Sequence, residues 1–287
     1  MTFDRYYAPE GEEKLLQRCA RIRHVCLDMD GTIYLGNSLF PYTKPFLATL
    51  GELGIGYTFL TNNPTRSAAD YIAKLRRLGI EADLSQMYTS SMATIDYLRQ
   101  HYPAVRRLFI LGTPSMQEEF VRAGYELTAD DPEDRPEMLI VAFDTTLVYS
   151  RLCRAAWWAS KADIPYIATN PDWVCPTEEE TILVDCGSLC MAVEGASGRR
   201  PDVVIGKPSP GMLQCIRDKY ALESDQLAMI GDRIYTDVAA GRNAGGLGIL
   251  VLSGETSLET ALASRPVPEL TAADISVVGE LLMRARL

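Results

Sequence analysis

Histidine is almost missing from this chain of 287 residues: there are two, His24 and His101. A three-histidine metal site is therefore excluded. Cysteine occurs seven times, but with no CxxC pair and no metal-finger spacing. Free, mostly buried thiols in a reducing compartment are the expectation. Cys186 and Cys190 are separated by Gly-Ser-Leu, which suits two residues on one helical face better than a redox pair. Long apolar runs are also lacking. The longest fully apolar stretch, Met138 to Phe143, falls well short of the ~20 residues a membrane span requires. The N-terminal MTFDRYYAPEGEEK has no apolar segment of the kind a secretory signal needs. Positive charge is in deficit, with 28 Lys+Arg against 38 Asp+Glu and a formal net charge of −10. That argues against nucleic-acid polymers and anionic membranes as partners, since both need clustered cations. A soluble, cytoplasmic protein is expected.

Hydrophobic residues make up 47% and charged residues 23%, ordinary values for a globular chain. The length allows one large domain or two of moderate size. Short apolar runs recur along it and read as strands: His24–Asp28, Tyr57–Leu60, Arg107–Leu111, Met138–Phe143, Tyr166–Ala168, Val203–Ile205, Leu227–Ile230 and Gly248–Leu252. They are too apolar to alternate, as expected for parallel strands covered on both faces. Helical spacing fills the intervals. Ala68, Ile72, Leu75 and Leu78 recur on one face and stop at Gly79; Met212, Cys215, Ile216 and Lys219 do so after Pro210. Residues 1–20 read as a polar arm and helix, and Thr128–Pro136 as an acidic surface loop. The βαβα rhythm implies an α/β fold with right-handed crossovers.

In open α/β sheets, ligands bind beyond the carboxyl ends of the strands. Asp28-Met29-Asp30-Gly31-Thr32 follows the first strand, Thr61-Asn62-Asn63 the second, Gly206-Lys207-Pro208 a later one, and Gly231-Asp232-Arg233 with Asp237 the next. Four strand ends thus carry polar, charged residues that could converge on one rim. Crowded there, Asp28, Asp30 and Asp232 would repel one another and their pKa values would rise. A hard divalent cation resolves the conflict, and oxygen-only ligands favour Mg²⁺. Lys207, the Thr61 hydroxyl and nearby backbone N–H groups would cradle a tetrahedral oxyanion.

The four motifs, in this order, resemble those of the haloacid dehalogenase superfamily. The stretches DMDGTIYLGNSLFP, TNN, VIGKPSPGM and MIGDRIYTD…LVLSG are similar to the subfamily (subclass IIA) of NagD-like nucleotide phosphatases, p-nitrophenyl phosphatases and pyridoxal phosphatase. The likeness spans about residues 24 to 258. It implies a Rossmann-like core with a parallel sheet and helices on both faces, plus an inserted α/β cap domain of the C2 type. The 143 residues between Asn63 and Lys207 leave room for that cap. The core is expected over residues 1–82 and 203–287, and the cap over 83–202.

The resemblance also implies roles. Asp28 would attack phosphorus and form an aspartyl-phosphate, and Asp30 would act as general acid and base. Asp28, the Asp30 backbone carbonyl and Asp232 would hold Mg²⁺, with Asp237 just outside these ligands. Thr61, Asn62, Asn63 and Lys207 would hold the phosphoryl group. A lid over the site favours small phosphorylated metabolites, and related proteins are often homodimers through their caps.

Each residue also has a plainer reading. Asp237 suits a helix N-terminus as well as the site. Asn170, Asp172 and Trp173 follow a strand and could reach a substrate; Trp173 fits either stacking on a base or pyridine ring, or packing between domains. Asp144 reads as structural, His24 and His101 as structural or exposed, and Trp157-Trp158 as cap core. A P-loop fails because Pro201 and Pro208 occupy required Gly and Ser/Thr positions, and no GxGxxG follows a strand. Receiver-type switches share the Asp, Thr and Lys but are far shorter, and dehalogenation has no use for Asp30. The reading is a Mg²⁺-dependent phosphomonoesterase. The alternatives are a metabolite-binding or regulatory relative, or a phosphotransferase, with incidental hydrolysis.

Overall fold

The computed structural model describes residues 5–175, 177 and 180–287. The chain forms two compact units, one of Met1–Leu60, Lys74–Met87 and Lys207–Leu287, the other of Thr61–Ala73 and Tyr88–Gly206.

The first unit is built on a sheet of seven strands in the order Tyr6–Tyr7, Leu270–Ala272, Leu247–Val251, Leu227–Gly231, His24–Leu27, Gly56–Thr61, Met87–Thr89. The middle five strands pair in parallel. Strand interiors are buried on both faces, Val25, Cys26 and Leu27 among them, which is why their sequences do not alternate. The helix Glu12–Arg21 carries Glu12 and Glu13 in its first turn and Arg18 and Arg21 in its last, so its charges oppose the helix dipole. It buries Leu15 and Cys19, one turn apart. The helix Ile275–Arg284 is capped by the Asp274 side chain, which accepts the Ser276 N–H. Gly279 on that helix leaves space for the Phe46 ring.

The second unit contains a parallel five-stranded sheet in the order Val203–Val204, Tyr166–Ala168, Met138–Val141, Arg107–Leu111, Glu126–Leu127. Phe109, Leu139, Val141, Tyr166, Trp158, Leu189 and Val193 form its core. Each large apolar side chain buried there contributes about 1.5–3 kcal/mol.

The predicted strands are present, with ends shifted by no more than two residues. The helices Ala68–Arg77 and Gly211–Lys219 occur where the spacing placed them. In the second of these Leu213 joins Met212 and Ile216 in the core, whereas Cys215 is exposed. Tyr6–Tyr7 corrects the reading of the N-terminus as a mere arm before a helix: it adds an antiparallel strand to Leu270–Ala272. The first four residues of that arm lie outside the described ones. Two short hairpins, Tyr34–Leu35 with Ser38–Leu39 and Val174–Cys175 with Leu183–Val184, were also not anticipated. Each strand is two residues long, too short for a periodicity to register. Trp157 is a further correction. It is 47% exposed, with the Lys161 ammonium 3.6 Å above its ring, whereas its neighbour Trp158 is buried. All seven cysteines are free and four are buried. Cys186 and Cys190 do share a helical face, their sulfurs 4.0 Å apart. Among the described residues no helix is long and apolar enough to cross a membrane.

Candidate active site

The register of the two central strands places the first acidic motif beside the last. Leu27 pairs with Ile230, and the Asp28 N–H extends the ladder by donating to the Ile230 carbonyl at 2.9 Å. Asp28 and Asp232 therefore leave adjacent strand ends on the same edge. Gly31 then turns the chain with φ +81°, where a side chain would be strained. A Cβ on Gly31 would lie 2.5 Å from Asp232 Oδ2. The glycine is required by both conformation and space.

Lys207 is buried between two carboxylates, 2.5 Å from Asp28 Oδ1 and 2.6 Å from Asp237 Oδ1. The second oxygen of Asp237 accepts the Arg233 N–H at 3.0 Å. Asp237 thus anchors the lysine and closes the turn that follows Asp232. A Cβ on Gly231 would come within 2.3 Å of the Asp237 carboxylate. Asp232 is buried too. Its Oδ2 accepts the Glu255 N–H at 2.7 Å, while its Oδ1 has no hydrogen-bond partner among the described residues. Carboxylate oxygens of Asp28, Asp232 and Asp237 all lie within 4.8 Å of one another.

Burial dominates the electrostatics. It raises Asp28 to about 8, with Asp237 and Asp232 adding to the rise and Lys207 opposing it. It raises Asp232 to about 6, assisted by Asp237 and resisted by the Glu255 N–H. For Lys207 burial acts downward, but Asp237 and Asp28 outweigh it and hold the ammonium above its ordinary value. One lysine does not offset three crowded carboxylates. A buried carboxylate oxygen without a donor, on a residue grouped with two other acids, is what a hard divalent cation accepts as ligand. The donor set fits such an ion.

Asp30 is exposed, at the start of the turn, in a bridge with Tyr34. Thr61 ends the strand Gly56–Thr61, is buried, and accepts the Asn63 N–H at 3.1 Å. Asn63 accepts the Thr65 N–H and hydroxyl on its Oδ1, an Asx turn that shapes the loop.

The second unit forms a cluster of its own. Asp172 Oδ2 accepts from Asn62 Nδ2 at 2.8 Å and from Asn170 Nδ2 at 2.9 Å. Asn170 Nδ2 also donates to Asp185, and its oxygen accepts the Thr169 hydroxyl. Asn170 and Asp172 are buried and hold one another, while Trp173 beside them is 59% exposed. Asp144 accepts the Thr146 N–H and hydroxyl and shapes its own loop. His24 is buried and bonded to Thr58.

Sequence reasoning gave no role to Asp185 or to the stretch Ser253-Gly254-Glu255, although LVLSG, which contains Ser253 and Gly254, carried part of the resemblance. That stretch follows the strand Leu247–Val251 after one residue, Leu252, so the strand-end rule that located Asp28 and Asp232 reaches it as well.

The sequence matches the haloacid dehalogenase-like hydrolase family over residues 25–126 and a HAD-hydrolase-like family over residues 204–277. Ribonucleotide monophosphatase NagD of Escherichia coli K12 is 32% identical over 238 residues, covering 83% of this chain and 90% of that protein. Mouse chronophin is 32% identical over 266 residues, covering 86% and 91%. The crystal structure of 4-nitrophenylphosphatase from Thermotoga maritima superposes with a TM-score of 0.86 at 36% identity, over 92% of this chain and 98% of that one.

Proposed function

The chain belongs to the haloacid dehalogenase-like hydrolases, in the branch of NagD and the p-nitrophenyl phosphatases, and we propose that it is a Mg²⁺-dependent phosphatase of small phosphomonoester metabolites. The observation carrying this reading is the buried Lys207 ammonium bonded to both Asp28 and Asp237, with the unsatisfied Asp232 oxygen beside them. In an acidic chain this is a place where a phosphate dianion meets fixed positive charge. The relatives are named for ribonucleotide monophosphates, 4-nitrophenyl phosphate and glycerol 3-phosphate. A phosphomonoester is common to all three.

Asp28 and Asp232 carboxylates, with the Asp30 carbonyl, would hold the ion; both Asp237 oxygens already have donors. When bound, Mg²⁺ offsets the charge of the acidic cluster and of the phosphoryl oxygens. Asp28 attacks phosphorus in line, and its carboxylate oxygen bonds to phosphorus as the ester bond breaks. Asp30 gives its proton to the departing oxygen. It then takes a proton from the water that attacks the aspartyl-phosphate, which returns the Asp28 carboxylate and releases phosphate. Lys207, fixed by Asp237, brings its positive charge to the phosphoryl oxygens, and Thr61, Asn62 and Asn63 are proposed as further contacts. A preorganised donor of this kind is worth about 3 kcal/mol of barrier.

The test is phosphate release from p-nitrophenyl phosphate with and without Mg²⁺. Wild type should turn over only with the ion, and Asp28→Asn should lose at least about a thousandfold in rate. Absence of release from a broad panel of phosphometabolites would shift the conclusion to metabolite binding. Transfer to an added acceptor alcohol would reveal a phosphotransferase.

A further inference from the structure

We propose that the turn Ser253–Glu255 is a positioning element of the cation site, in which Glu255 fixes the Asp232 carboxylate so that Oδ1 is the oxygen offered to the ion; this rests on the reading of the site as a Mg²⁺ centre. A carboxylate on a free side chain can present either oxygen. Here the Glu255 N–H holds Oδ2 at 2.7 Å, and Oδ1 is the atom left without a donor among the described residues. The choice depends on where the residue 255 amide sits, and the turn is tied at both ends. At its start the Ser253 hydroxyl donates to the Gly31 carbonyl at 2.7 Å, joining it to the loop that follows Asp28 and Asp30. At its end the Glu255 carboxylate pairs with Arg233 Nε at 2.8 Å and accepts the Tyr235 hydroxyl at 2.8 Å. Arg233 and Tyr235 both belong to the segment that directly follows Asp232. Between the two ties, Gly254 lies so close that a Cβ there would be 2.1 Å from Asp232 Oδ2. The turn is thus fastened to both acidic loops and packed directly on the ligand.

An ordinary surface ion pair between Glu255 and Arg233 would influence stability a little and the ion not at all. A positioning pair changes affinity for the ion, and substitution of such outer partners typically costs tenfold or more. Glu255→Ala, Glu255→Gln and Tyr235→Phe should therefore be titrated with Mg²⁺ alone, without substrate. Binding is read by calorimetry and by the rise in thermal unfolding midpoint. Glu255→Ala is expected to bind Mg²⁺ about tenfold more weakly than wild type, with an unfolding midpoint near wild type when the ion is absent. Glu255→Gln and Tyr235→Phe each keep part of the tie and should weaken binding less, in the same direction. They carry the test if Glu255→Ala does not fold. Wild-type affinity in all folded variants overturns the proposal and leaves the phosphatase reading standing. A wild-type protein that takes up no Mg²⁺ overturns both.

Discussion

Asp237 accepts the Lys207 ammonium on one oxygen at 2.6 Å and the Arg233 amide on the other at 3.0 Å. The pair is buried, with side-chain exposures of 3% and 1%, so neither charge is compensated by water. Losing the Asp237 charge leaves Lys207 paired with Asp28 alone and relieves some of the carboxylate repulsion, so the cost falls below the about 3–5 kcal/mol of an uncompensated buried charge. Asp237→Asn should accordingly lower the urea unfolding free energy by about 1–2 kcal/mol and reduce phosphatase rate by at least about a hundredfold. An unfolding midpoint equal to wild type would show that Lys207 does not depend on Asp237.

Gly231→Ala reaches the same pair from the backbone. The new Cβ would sit 2.3 Å from the Asp237 carboxylate at a fully buried strand end, and overpacking of that kind costs about 1–3 kcal/mol. Asp237 would have to move away from Lys207, so the activity loss should approach that of Asp237→Asn. Retention of full activity would sink the claim that this glycine makes room for Asp237.

Gly195 is the contrasting glycine. It lies within the exposed face of the helix Cys186–Ser197, and a Cβ there would meet nothing within 4 Å. Gly195→Ala should stabilise the protein by about 0.5–1 kcal/mol through helix propensity and reduced freedom of the unfolded chain. Calorimetry should record a higher unfolding midpoint with unchanged activity, and a lower midpoint would contradict the packing described.

His24 predicts a stability loss in mild acid. Burial, then the nearby Lys219 charge, lowers its pKa from 6.5 to about 4, while its ring bonds Thr58 and stacks on Tyr220. The folded state therefore resists protonation that the unfolded state accepts. Stability from this group is intact above pH 6.5 and declines as pH falls toward about 4, a total of about 3 kcal/mol. His24→Gln, uncharged throughout, should show a shallower decline over that window in urea titrations. Identical slopes for the two proteins would refute the assignment.

The strand-end residues of the candidate site were partly legible in the chain itself. Apolar runs buried on both faces mark parallel strands, and a polar residue at the end of such a run lies at the sheet edge, as Asp28, Thr61 and Asp232 do. Lys207 instead follows Val203–Val204, a half-exposed edge strand of the second unit's sheet, so its place beside Asp28 was decided by the tertiary structure. The short strands Tyr6–Tyr7 and Leu183–Val184 left no such mark, because two residues establish no period, and the partner of Tyr6–Tyr7 is also distant in sequence. The hydrogen bonds of Asn170 were likewise not legible. Its amide is held by Asp172 and Asp185, and hydrogen-bond partners follow from packing rather than from spacing. Local sequence therefore determined which residue types stand at the strand ends, since burial and turn chemistry act over a few neighbours. Only the tertiary structure decided which oxygen of Asp232 is bonded and which is open, because the Glu255 amide that makes the choice comes from a separate strand end brought alongside by the sheet.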